Sequence, residues 1–136
     1  AWNRILDAVP NARWYVISND DIAFHPGALR NFARGVERHF QLVANGTGNK
    51  ILLYPWAKQP YSIFAILQQA LQRVGKFDEN FWPVYYEDVD YRVRMARVGL
   101  WQALVPKVKV QHGHDGEQGY VSGSQSAIAR EGGKVT

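Results

Sequence analysis

The sequence predicts an α/β sandwich, and three observations predict it. Segments with apolar residues at helical spacing alternate with short, continuous apolar runs, the pattern of helices layered on a sheet. Polar clusters follow two of those runs, where an open α/β sheet binds its ligands. The composition, 46% hydrophobic and 13% aromatic over 136 residues, suits one packed domain or part of a larger one.

The elements follow in order. Trp2, Ile5, Leu6 and Val9 mark one face of a helix that Pro10 stops. The run from Trp14 to Ser18 reads as a buried strand of parallel type, and Asn19-Asp20-Asp21 ends it. Pro26 suits the first turn of a helix, whose stripe is Leu29, Phe32, Ala33, Val36 and Phe40. Residues 41–44 and 51–54 read as short strands on either side of the turn Asn45-Gly46-Thr47-Gly48-Asn49. Pro60 and Ser62 look like a helix entrance, with Ser62 as its cap. Ile63, Leu67, Ala70, Leu71 and Val74 continue at helical spacing to a stop at Gly75.

Residues 76–86 read as a polar, aromatic loop. A helix is expected over residues 88–98, with Val89, Val93 and Ala96 facing inward and Gly99 ending it. Residues 100–105 and 108–111 read as strands separated by Pro106. From residue 113 to 136 the chain is rich in Gly and Ser, as in a loop or tail. The pattern opens on a helix, and the Gly-rich phosphate loops of dinucleotide-binding and P-loop proteins are absent. If the fold is of the α/β nucleotide-binding kind, its opening βαβ portion is expected to be missing from the sequence.

Composition removes several function classes. Without cysteine there is no disulfide, thiolate metal site or cysteine nucleophile. No apolar run approaches the ~18 residues of a membrane span. Residues 123–126 do not form the G-x-S-x-G elbow of a serine hydrolase. The net charge of +4 is spread along the chain, with local concentrations at Arg92, Arg94, Arg97 and at Lys107, Lys109. A nucleic-acid binder shows a denser basic stripe. A solvated surface and a rim that attracts an anionic nucleotide both fit this scatter. Trp2, Trp14 and Trp101 lie on apolar faces or strands and read as core residues.

Three constellations carry chemistry. Adjacent carboxylates at a strand end, Asp20 and Asp21, repel one another unless a cation or donors offset the charge. Mg²⁺ and Mn²⁺ take such oxygen ligands, while a polar turn explains the same residues without a ligand. Glu87-Asp88-Val89-Asp90 opens a helix, where the dipole favours negative charge. Phe81, Trp82, Tyr85 and Tyr86 stand just ahead of it, an aromatic wall suited to a sugar ring. His112-Gly113-His114-Asp115 follows a strand and offers imidazole ligands, or plain surface.

Taken in order, WYVISNDDIAFHPGAL, VGKFDENFWPVYYEDVDYRVRMARVGL and VKVQHGH resemble the family 2, GT-A fold, inverting nucleotide-sugar glycosyltransferases. The resemblance implies a GT-A-like α/β/α sandwich with a mixed, mainly parallel sheet, present as a partial domain over residues 1–112 with 113–136 as its tail. It implies transfer of a hexosyl or deoxyhexosyl unit, in glycan or polysaccharide biosynthesis, from a nucleotide-diphosphate sugar to an acceptor hydroxyl. A Mn²⁺ or Mg²⁺ ion is expected at Asp21 and His112, with His114 a weaker ligand. Asn19 and Asp20 match the donor-binding residues of the DxD-like motif. Asp88 matches the catalytic base, and Trp82, Tyr85, Tyr86 and Glu87 the acceptor side. Phe77, Asp78 and Glu79 match a turn that positions the aromatic loop. Arg92 and Arg94 read as a solvated helix face or as contacts to anionic ligands. The setting implied is cytoplasmic or membrane-peripheral, without nucleic acid. Two other readings stay open: a non-catalytic domain that binds carbohydrate or nucleotide-sugar, and a basic nucleic-acid binder.

Overall fold

A computed structural model describes residues 2–78 and 87–112, with the side chains of Glu87, Asp88 and His112 outside that description. The order is α1 (Trp2–Ala8), β1 (Trp14–Ser18), β2 (Ile22–Phe24), α2 (Ala28–Ala44), β3 (Lys50–Tyr54), a 3₁₀ turn (Pro60–Ser62), β4 (Ile63–Leu67), α3 (Gln68–Arg73), α4 (Glu87–Arg97), β5 (Trp101–Leu104) and β6 (Val110–His112).

Four strands form one sheet in the order β1-β4-β3-β5, and β2 pairs with β6 in a separate ribbon. β4 runs antiparallel to both of its neighbours, and β3 pairs in parallel with β5. Thus β1, β3 and β5 share one direction, but two of the sheet's three pairings are antiparallel, so the sheet is mixed as expected and only partly, not mainly, parallel. Parallel hydrogen bonding among the described strands is confined to β3 and β5. The expected parallel-type strand at β1 is corrected accordingly: it pairs antiparallel with β4, Trp14 opposite Leu67 and Ser18 opposite Ile63.

Strand alternation sorts the side chains into two cores. Tyr15, Ile17, Phe64 and Ile66 point to one face, with Leu6, Ala70, Phe77, Tyr91, Met95 and Leu100. Ala65, Leu67 and Leu53 point to the other, under Ala28, Phe32 and Val36 of α2 and beside Val105 and Val108. The result is the expected three-layer arrangement, with α1, α3 and α4 on one side and α2 on the other. β4 is buried along its whole length. Each large side chain there stabilises the fold by about 1.5–3 kcal/mol.

Several elements differ from expectation. Residues 63–67 form this central strand, not the opening of a helix. A five-residue apolar run buried on both faces shows no period, so it cannot be told from a buried helix. The helical spacing resumes only at α3, which Gly75 stops with a φ of 98°. Residues 41–44 belong to α2, which continues to Ala44 before turning at Asn45. Pro26 lies two residues ahead of α2, because the short strand β2 occupies residues 22–24. In α4, Val89 and Val93 are 43% and 45% exposed, and the buried face is Tyr91 and Met95. Trp101 lies on the exposed edge strand β5, not in the core. Among the described residues, no helix is long and apolar enough to cross a membrane.

Candidate functional site

The first acidic cluster occupies the turn between β1 and β2. The Asn19 backbone N–H donates to the Ser62 carbonyl at 2.9 Å, which pins the turn to the foot of β4. Asn19 and Asp20 are exposed, whereas Asp21 is only 4% exposed. Asp21 and Ser62 are the buried polar residues among those described. Burying a carboxylate is costly unless charge or donors compensate it, so the two neighbouring carboxylates face different chemistry. Asp20 meets water, and Asp21 is held inside the turn.

The ribbon supplies the third member. β2 and β6 pair antiparallel with Ile22 opposite His112, Ala23 opposite Gln111 and Phe24 opposite Val110. The residue directly after Asp21 therefore sits across from His112, although 90 positions separate Ile22 from His112 (112 − 22). The sequence reading placed Asp21 and His112 in one site without seeing this ribbon. Its three-residue strands are too short for a recognisable alternation. His114 lies outside the described residues. Among the described residues, no group of three or more His, Asp or Glu converges as a metal cluster.

The second acidic cluster is the first turn of α4, which begins at Glu87. The aromatic residues Trp82, Tyr85 and Tyr86, like Glu79, lie outside the described residues. The anchor of this helix is described in full. Tyr91 packs on Phe77 with ring centroids 4.4 Å apart, and its hydroxyl donates to the Gly75 carbonyl at 2.7 Å. Burial pushes that hydroxyl well above the usual phenol range, against the opposing charge of Arg94, so it remains a donor.

Arg94 is neither a solvated residue nor a free ligand contact. Its Nε donates to Asp90 Oδ2 at 2.9 Å, Nη1 to the Val74 carbonyl at 3.1 Å and Nη2 to the Lys76 carbonyl at 2.8 Å. From the other side, Asn3 grips Phe77: Nδ2 donates to its carbonyl at 2.7 Å and Oδ1 accepts from its N–H at 3.0 Å. Phe77 is buried against Trp2 and Phe64. The expectation that Phe77 is structural therefore holds, and the clamp fixes the backbone at Phe77. Sequence reasoning missed Asn3, Tyr91 and Arg94 as its parts. The i, i+4 pair Tyr91 and Met95 was the available signal, outweighed by the two valines.

A cavity of about 370 Å³ between α1 and α3, lined by residues such as Asp7, Gln68 and Lys76, includes no predicted site residue.

No family model and no solved structure matches the chain. A galactofuranosyl glycosyltransferase of Leishmania donovani is 44% identical to it over 61 residues. That stretch is 45% of this chain and 14% of that protein, so the match spans a small part of the relative's length.

Proposed function

We propose that the chain is the metal-side and acceptor-side portion of a glycosyltransferase that moves a sugar from a nucleotide-diphosphate donor to an acceptor hydroxyl with inversion. The observation that carries this reading is the register of Ile22 with His112, which joins the Asp21 turn to the strand ending in the histidine. The partial likeness to a protein named as a glycosyltransferase supports it independently.

Asp21 and His112 would hold a Mn²⁺ or Mg²⁺ ion. The donor set suits such an ion: a buried carboxylate and an imidazole, with phosphate oxygens and water completing the shell. When bound, the cation supplies charge stabilisation for the departing nucleoside diphosphate. Asn19 and Asp20, exposed on the same turn, bind the ribose or the donor sugar. Asp88 takes the proton of the acceptor hydroxyl as that oxygen bonds to the anomeric carbon from the face opposite the diphosphate. The bond from carbon to the diphosphate oxygen breaks, and its electron pair leaves with the nucleotide. Trp82, Tyr85, Tyr86 and Glu87 line the acceptor side.

The test is titration of the chain with Mn²⁺ and a panel of UDP-, GDP- and dTDP-sugars, beginning with a galactofuranosyl nucleotide. Donor binding is expected to require the cation. Asp88→Asn is expected to retain donor binding and lower turnover by about 10²–10⁴-fold. Unchanged turnover in that variant removes Asp88 as the base. Donor binding without turnover in the unaltered chain points to a binding module, and absence of binding to every donor defeats the reading.

A further inference from the structure

We propose that the groove between α2 and the β5–β6 connection binds a phosphate oxyanion through Arg34, Arg38 and Lys107. This inference is independent of the transfer chemistry. It starts from an imbalance in α2. Arg30, Arg34 and Arg38 recur every fourth residue and all are exposed. Like charges at that spacing destabilise a helix by a few tenths of a kcal/mol per pair, so the row contributes nothing to helix formation. The ion pairs of the described residues use Arg13, Lys76 and Arg94 instead. The side chains of Arg34, Arg38, Lys107 and Lys109 have no such partner among the described residues.

The charges face a built hollow. A cavity of about 350 Å³ is lined by Asn31, Arg34 and Arg38 of α2 and by Val105 and Pro106 after β5. A second of about 180 Å³ shares Asn31 and is lined by His25, Lys107 and Lys109. Neither lining contains a carboxylate. The walls stand close because position 35 is glycine: a Cβ there would lie 2.5 Å from Val105 Cγ1. Lys107 is held at a φ of 64°, a left-handed conformation that costs a non-glycine residue about 1–2 kcal/mol. Guanidinium groups one helical turn apart, with the Asn31 amide in the same lining and Lys107 in the adjoining hollow that shares Asn31, match the several acceptor oxygens of a tetrahedral phosphate.

The groove is distinct from the Asp21 turn. His25 donates its backbone N–H to the Lys109 carbonyl at 3.0 Å, beyond the Phe24–Val110 end of the ribbon. His112 and Ile22 mark the opposite end. The phosphate belongs either to a soluble ester or to an anionic lipid headgroup, and one experiment separates them.

The full chain would be titrated with inorganic phosphate at constant ionic strength, with EDTA present to silence the metal site. Phosphatidylcholine vesicles with and without phosphatidylglycerol would be tested in parallel. Saturable phosphate binding is expected to weaken at least about tenfold in Arg34→Gln/Arg38→Gln, the effect of losing two bidentate partners. Removing two exposed arginines elsewhere, in Arg4→Gln/Arg73→Gln, is expected to leave it unchanged. Vesicle binding that requires phosphatidylglycerol and the same two arginines assigns the lipid source. Phosphate binding without vesicle binding assigns a soluble ester. Absence of saturable binding to either probe overturns the proposal, as does equal weakening in both double variants.

Discussion

The two acidic clusters are mounted in opposite ways. The Asn19–Asp21 turn is positioned by backbone: antiparallel pairing of β1 with β4, the bond from Asn19 to Ser62, and the β2–β6 register. At the opposite end of β1 the side-chain contact is an exposed clasp, in which Trp14 Nε1 and Gln41 Nε2 each donate to Glu37 at 3.0 Å and Arg13 pairs with the same carboxylate. The Glu87–Asp88 turn leads a helix that side chains hold, through Tyr91, Arg94 and Asn3. A backbone mount tolerates substitution of its neighbours. A side-chain mount concentrates the same task in a few atoms and is correspondingly fragile.

Three changes would break or sharpen that contrast. The largest effect belongs to Tyr91→Ala, which empties a fully buried ring site and is expected to lower stability by about 3–5 kcal/mol. Urea denaturation checks it, and Tyr91→Phe, losing only the bond to Gly75, should cost about 1 kcal/mol. Next is Arg94→Met, which keeps much of the bulk and releases the Val74 and Lys76 carbonyls. A loss of about 1.5–3 kcal/mol is expected, with faster amide exchange at Phe77 than anywhere in β4. Equal exchange at both places would mean that α4 does not depend on this clamp.

The smallest effect lies on the clasp. The Trp14 indole, then Gln41 and Arg13, hold the Glu37 carboxyl below its usual value of 4.5. A folded-state value below the unfolded one makes the contribution present above pH 4.5 and lost as pH falls through the folded value. The thermal midpoints of the wild type and Glu37→Gln should therefore differ slightly at pH 7 and converge toward pH 3. Exposed pairs contribute little. A gap at pH 7 as large as that of Arg94→Met would erase the distinction between the two mounts.

Much of this contrast was legible in the sequence. β1, β3, α4 and the stop at Gly75 were visible because apolar period, turn residues and caps agreed at those places. The central strand β4 was hidden because burial on both faces erases the alternation that marks a strand. The ribbon of β2 and β6 was hidden because pairing across most of the chain leaves no local trace. Asp21 and His112 were readable as candidate ligands by residue type and resemblance, and the adjacency of the Asp21 turn to the strand ending at His112 only from the register. The α4 clamp was misread because valine is more apolar than tyrosine, and the helix buries tyrosine with its hydroxyl satisfied.

The close passage of α2 over Val105 has a consequence for how this sequence can drift. Any side chain at position 35 collides with a β-branched methyl that has little room to rotate. The two positions therefore form a single unit of variation: alanine at 35 becomes tolerable once 105 has shrunk, and a smaller residue at 105 leaves a void while 35 remains glycine. Related sequences should show the two changing together or not at all. That covariation would appear between a helix and a loop 70 positions apart (105 − 35), with no hydrogen bond or charge to betray it.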